Sequence, residues 1–240
     1  MSEIERRGIK AAFIDIDNTL LSFDKFVEKA TAEGFERFGL PNYEPYMADV
    51  IHKVNGSFWV RIESGSLTVE QLKKDRWNAI FDALGFKADG VAFEKYFSGA
   101  LNESAIPEDG AFELLEAIKR CGCVICAASN APKGQQPHRL ELAGMLGYFD
   151  FVFASDELGA AKPSNEFYTL AFAQLNAGRE KPIAPAECVM IGDSLSSDIA
   201  GGRSFGMATC YFTRGRAFAD DTVADYIAPT LADVKRLLCE

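Results

Sequence analysis

Five short apolar runs recur along the chain: Ile9 to Ile16, Val124 to Ala128, Phe149 to Ala154, Cys188 to Ile191 and Met207 to Phe212. Most end at Gly, Asp, Ser or Asn, and helix-length stretches separate the later ones: Gln135 to Leu146, Asn165 to Leu175 and Ser196 to Phe205. Strands that read as continuous apolar runs and alternate with helices belong to a parallel sheet buried on both faces. Right-handed crossovers then put helices on the two faces, and the polar loops after successive strands gather along the carboxyl edge. The expected fold class is therefore α/β, with a doubly wound parallel sheet of Rossmann-like type as its core. A chain of 240 residues, 48% of them apolar, has enough material to bury such a core.

One interval breaks this rhythm. From Asn18 to Gly122 no strand is evident, although a crossover needs only about a dozen residues. Phe23 to Phe38, Val69 to Leu84 and Val91 to Leu101 show apolar spacing near the helical period, and Pro41, the Asn55-Gly56 pair and Gly85 punctuate them. Residues 21–100 are read as an inserted all-helical cap, and residues 1–20 and 101–240 as the Rossmann-like catalytic core. Ala111 to Arg120 is the core helix that leads back to the sheet, past Pro107 and Gly110.

Charge narrows the partners. Asp and Glu outnumber Lys and Arg 35 to 25, for a formal charge of −10, and the basic residues are scattered. Nucleic acid and anionic membrane are disfavoured as partners, whereas a small phosphorylated metabolite needs only a local cluster of donors and a cation. No run reaches the roughly 18 apolar residues of a membrane span, and residues 1–10 lack the apolar centre of a signal peptide, so a cytoplasmic protein is expected. Cys121, Cys123 and Cys126 run into an apolar stretch with no second Cys pair or His cluster beside them, and are read as structural thiols.

The chemistry-bearing residues fall at strand ends. The first run closes on Asp15-Ile16-Asp17-Asn18-Thr19, where two carboxylates two residues apart share one side of a strand and call for exposure or a bound cation. Ser129-Asn130 follows the second run and offers a hydroxyl and backbone N–H groups to a phosphate oxygen. Lys162 stands before Pro163 in the loop after the third, and Gly192-Asp193 with Asp198 follows the fourth. Each element alone has a bland reading as a turn, a solvated charge or a helix cap. Four in order, at four strand ends of one sheet, are far harder to ascribe to chance.

In these four elements the chain resembles the haloacid dehalogenase-like hydrolase superfamily, in its subfamily with a helical cap after the first motif. Leu20 to Phe26, Val54 to Val60 and Ile227 to Thr230 are similar to bacterial pyrimidine 5′-nucleotidases of that superfamily. The resemblance implies a phosphatase of small phosphate monoesters acting through an aspartyl phosphate, with Asp15 as nucleophile, Asp17 as acid and base, and Ser129 and Lys162 on the transferring group. It puts Asn18, Thr19 and Asn130 at the phosphate. It gives Mg2+ as cofactor, held by the Asp15 carboxylate, the Asp17 carbonyl and Asp193, with Asp198 behind them. A nucleotide is the expected substrate and a pyrimidine nucleoside 5′-monophosphate the foremost candidate, in a monomer or homodimer. Asn18 departs from the Gly or Glu common at that position. Sugar-phosphate and phosphoglycolate-type phosphatases, a phosphomutase and a nucleotide-binding pseudo-phosphatase stay open as alternatives. Halide displacement is disfavoured because it needs neither a second acid nor a metal. Phe23, Phe26, Phe58 and Trp59 are either a surface for a stacked base or part of the cap interior, and His52 and His138 fall in no motif.

Overall fold

The structure, a computed structural model, describes residues 2–132, 134–219 and 222–240. Strands β1 (Ala11–Ile14), β2 (Val124–Ser129), β3 (Phe151–Ala154), β4 (Cys188–Gly192), β5 (Ala208–Phe212) and β6 (Tyr226–Ala228) form one sheet in the order β3-β2-β1-β4-β5-β6. Every pairing is parallel. The sequence anticipates the first five strands; β6 has only three residues and no apolar run that would announce it.

Pleating sorts the strands between two cores. Ala12 and Ile14 join Ile125, Val189 and Ile191 beneath the helices α6 (Ala111–Arg120) and α11 (Leu231–Cys239), through Leu115, Ile118, Val234 and Leu238. Ala11 and Phe13 join Cys126 and Met190 on the opposite face, against Phe167, Tyr168 and Phe172 of α9 (Asn165–Leu175). This alternation is the period of two expected of strands covered on both sides. The short α1 (Glu3–Arg7), α7 (Gln135–Leu142), α8 (Ser155–Leu158) and α10 (Ala200–Ser204) complete this part of the chain, with a π-helical turn over Leu195–Ile199 leading into α10.

The chain divides into two compact units, Met1–Ser22 with Ala105–Glu240, and Phe23–Ser104. The second is wholly helical: α2 (Phe23–Arg37), α3 (Tyr46–Glu63), α4 (Val69–Leu84) and α5 (Gly90–Asn102). Helix α3 corrects the reading of Asn55-Gly56 as a break, since both lie inside it. Glycine costs roughly 1 kcal/mol in a helix, and here Met47, Ile51 and Phe58 supply the buried face that outweighs it. Thr68 and Gln71 form a capping box that starts α4, and Asp89 caps α5 through the N–H groups of Val91 and Ala92. Gly34 lets the rings of Phe93 and Tyr96 approach so closely that a Cβ there would lie 2.6 Å from each. Trp77, Phe35, Phe81, Phe93 and Phe97 make the interior of this unit, and Phe26 packs against Phe97 at 4.9 Å. Phe26 and Phe58 are thus interior residues, which leaves Phe23 and Trp59, both half-buried, of the four aromatics considered for stacking. Among the described residues no helix is long and apolar enough to cross a membrane.

Candidate active site

Strand order reverses at β1, which lies between β2 and β4, and in doubly wound sheets the loops beyond such a switch point form a crevice. Ile14 registers with Ala127 on one side and Ile191 on the other, so the loops carrying Asp15, Ser129 and Asp193 leave the sheet side by side. The Asp15 N–H still donates to Ile191 O at 2.9 Å, which extends the ladder by one bond. Asn18 then adopts a left-handed φ of 63° and donates its N–H to Leu21 O at 2.7 Å, closing a tight turn.

Lys162 is the centre of the site. Its ammonium donates to Asp15 Oδ1 at 2.8 Å, Asp198 Oδ1 at 2.6 Å and Ala128 O at 2.5 Å, and the residue is only 1% exposed. Burying an ammonium costs several kcal/mol unless good partners offset it, and all three of its donor positions are used here. Burial would lower the Lys162 pKa, but Asp15 and Asp198 overcome it and hold the group charged, with a pKa above the ordinary lysine value. Asp15 is pushed well above the usual carboxylate range, by burial first and by Asp198 and Asp193 besides, with Lys162 opposing. The backbone that presents Lys162 is tied down by a reciprocal pair. Asn130 Nδ2 donates to Lys162 O at 2.9 Å, and the Lys162 N–H donates to Asn130 Oδ1 at 2.8 Å. The side chain of Asn130 therefore joins the loops after β2 and β3, and its N–H remains as the group to consider for a phosphate. The Lys162-Pro163 bond is cis.

Asp198 is fixed from its other end by the Ser194 N–H, 3.1 Å from Oδ2. Asp15, Asp193 and Asp198 each offer a carboxylate oxygen within 4.8 Å of the others. Asp193 also accepts from Arg216 at 2.7 Å, with Arg214 at 4.0 Å, yet burial and then Asp198 push it up to about 7. Thr19 is fully buried and its hydroxyl has no hydrogen-bond partner among the described residues.

Asp17 departs from the expectation that it shares a side with Asp15. Strand geometry ends at Ile14, and the two carboxylates meet different elements. Asp17 Oδ1 accepts from Arg139 at 2.6 Å and Oδ2 from Gln136 at 2.7 Å, both residues of α7. Gln136 also donates to Ser129 Oγ at 2.9 Å, so Asp17 and Ser129 are joined through one amide. Sequence reasoning does not single out Gln136, Arg139, Arg214 or Arg216. For the first two a signal exists: they lie three apart on a helix whose buried face holds only one apolar residue, Leu140.

The chain is similar to known proteins along most of its length. The haloacid dehalogenase-like hydrolase family matches residues 9–206. The pyrimidine 5′-nucleotidase YjjG of Escherichia coli is 30% identical over 232 residues, covering 95% of this chain and 97% of that protein. The pyrimidine 5′-nucleotidase PynA of Streptococcus pneumoniae is 29% identical, covering 85% of this chain and 83% of its own length. Among solved structures, the HAD-hydrolase YfnB of Bacillus subtilis bound to magnesium is similar with a TM-score of 0.83 and 25% identity, over 96% of this chain and 98% of that one. With a switch-point crevice lined by acids and a buried lysine, and a family match running from β1 to the end of α10, the chain is an enzyme that belongs to the haloacid dehalogenase-like hydrolase family.

Proposed function

We propose that the protein is a magnesium-dependent phosphatase of nucleoside 5′-monophosphates, pyrimidine ones foremost, working through an aspartyl phosphate on Asp15. The observation that carries the reading is the buried contact of Lys162 with both Asp15 and Asp198. A carboxylate that attacks a phosphate dianion must be ionised and its repulsion offset, and a fixed cation at 2.8 Å works toward both, against the burial that raises the Asp15 pKa.

Magnesium fits the donor set. Three carboxylate oxygens converge within 4.8 Å, hard oxygen ligands suit this ion, and an Asp193 raised to about 7 by burial and a neighbouring acid marks a cluster short of positive charge. The carboxylates of Asp15 and Asp193 and the backbone carbonyl of Asp17 would hold it, with Asp198 behind. When bound, the ion supplies positive charge that draws the phosphate to the carboxylate and stabilises the transferring group.

Asp15 attacks phosphorus in line, the bond to the leaving alkoxide breaks, and Asp17 delivers a proton to the departing oxygen. Asp17 then takes a proton from the water that attacks the acyl phosphate, which frees phosphate and restores Asp15. The Ser129 hydroxyl and the Asn130 N–H hold the phosphoryl oxygens, Lys162, whose three donors are already engaged, holds Asp15 and offsets the negative charge beside it, and Asn18 and Thr19 shape the turn. Phe23–Ser104 serves as the cap, in a cytoplasmic enzyme acting as a monomer or homodimer. The pyrimidine preference is supported by the two nucleotidases that match this chain along most of its length.

Phosphate release from UMP, dUMP, dTMP, AMP, GMP and several sugar phosphates, with magnesium and with a chelator, tests the reading. Magnesium-dependent turnover concentrated on pyrimidine monophosphates, and lost in Asp15→Asn of unchanged fold, is expected. A sugar-phosphate preference would overturn the substrate, and undiminished turnover by pure Asp15→Asn would overturn the mechanism.

A further inference from the structure

We infer that Arg139 and Gln136 are positioning residues that set Asp17 and Ser129 in working relation for departure of the leaving group, an inference that rests on the acid–base role proposed for Asp17. The geometry is four linked hydrogen bonds. Arg139 Nη1 donates to Asp17 Oδ1 at 2.6 Å and to Gln136 Oε1 at 3.2 Å. Gln136 Nε2 donates to Asp17 Oδ2 at 2.7 Å and to Ser129 Oγ at 2.9 Å.

Chemistry allows one orientation of that amide. A guanidinium can only donate, so it takes the carbonyl end; an ionised carboxylate can only accept, so it takes the NH2 end. Ser129 Oγ, already accepting from the amide, is left with its own proton to give away, and a phosphoryl oxygen is the acceptor the proposed reaction brings. Both oxygens of Asp17 are gripped, yet its side chain is 34% exposed, so the carboxylate is anchored from within and open outward. Its anchors are 0% exposed. A fully buried guanidinium carries a large desolvation cost, and Arg139 sets one Nη1 donor on the carboxylate that a phosphoryl transfer needs aimed at the leaving oxygen.

The consequence is a dependence on leaving group. An aryl phosphate such as 4-nitrophenyl phosphate expels a stable anion and gains little from a proton donor, whereas the ester of a primary alcohol, as in a nucleoside 5′-monophosphate, needs one. The quantity to measure is kcat/KM with magnesium present, because it reports the steps up to leaving-group departure and omits hydrolysis of the acyl phosphate common to both substrates. The variants are Arg139→Met and Gln136→Met, which keep side-chain volume, and Arg139→Lys. Circular dichroism establishes that each is folded, and a folded example of any one suffices.

For Arg139→Met or Gln136→Met, kcat/KM for the alkyl ester falls on the order of 10–100-fold, and for the aryl ester less than about 3-fold. Arg139→Lys recovers part of the alkyl loss, since an ammonium supplies the charge without the fork. Equal losses on the two esters, or none, in folded variants would overturn the inference. Asp17→Asn, run alongside, separates the two levels: if it too loses both esters equally, the acid role itself fails. If Asp17→Asn discriminates and the Arg139 and Gln136 variants do not, only the positioning role fails.

Discussion

Replacing Gly192 by Ala tests whether the last residue of β4 is glycine because of Asp198. A Cβ built at Gly192 would lie 2.1 Å from Asp198 Oδ2 and 2.3 Å from its Cγ, where ordinary contact begins at 3.4 Å. The carboxylate must therefore retreat by roughly 1.3 Å, or the strand must shift by a similar amount. Neither is easy, because Asp198 is held at 2.6 Å by Lys162 and at 3.1 Å by the Ser194 N–H. Losing one charged hydrogen bond costs about 1.5–3 kcal/mol, and overpacking adds about 1–3 kcal/mol. The expected loss is about 3–5 kcal/mol, or a fall in Tm on the order of 10 °C. Urea unfolding of Gly192→Ala should be measured beside Asp198→Ala and the double variant. With the clashing carboxylate gone, Gly192→Ala should add less than about 1 kcal/mol, because the interaction between the two positions accounts for the rest. If Gly192→Ala costs as much in the Asp198→Ala background as in the wild type, the clash is not the reason for the glycine.

Three further outcomes are expected. Burial pushes the thiols of Cys188 and Cys210 up to about 12 from an ordinary value of 9.0, so the folded chain keeps protons that the unfolded chain releases. Their stabilisation is intact below pH 9 and is lost as pH climbs toward 12, and Cys210→Ala should flatten the decline in unfolding free energy above about pH 9, read from urea titrations, by up to ~1.4 kcal/mol per pH unit. In the helical unit, Arg76 donates to both oxygens of Glu94, at 2.7 and 3.0 Å, with both side chains nearly inaccessible. Arg76→Met should cost about 3–5 kcal/mol by leaving the buried Glu94 with the Ser98 hydroxyl and without its cation, and Arg76→Met with Glu94→Leu should recover most of it in a thermal melt. Magnesium added to chelator-treated protein should raise Tm, and Asp193→Asn should remove most of that rise when melts with and without the ion are compared.

The sheet is legible in the sequence because strands covered on both faces must be apolar at every position, and β1, β2 and β4 are buried along nearly their whole length. The loops are legible because acids, a lysine and a Ser-Asn pair stand where such strands end. What escapes has a physical reason in each case. Tyr226–Ala228 is too short to carry a pattern, and it pairs with β5 once Cys210 to Phe212 supply its partner strand. Asn55-Gly56 has the look of a turn, yet Gly56 faces open space and the helix around it is sustained by apolar residues a turn away on either side. Arg139 is unremarkable in a helix with few apolar residues; its meaning comes only when the fold brings α7 to the carboxylate beyond β1.

The segments of the sheet unit that flank the helical insertion bear on how the chain reaches its native state. Leu21 bridges Pro107 in antiparallel fashion, the Ser22 N–H donates to Ile106 O at 2.7 Å, and the Glu108 N–H donates to Leu20 O at 2.9 Å. Pairing β1 with β2 closes a loop that contains the whole of Phe23–Ser104. For a disordered insertion of that length the loss of chain freedom would fall on the slow, non-local step of sheet assembly. The insertion is instead four helices in which α3 packs on α4, α4 on α5 and the first, α2, on the last, α5, so the folded unit shortens the effective loop. An insertion that is itself folded thus lowers the entropic cost of joining β1 to β2 across it.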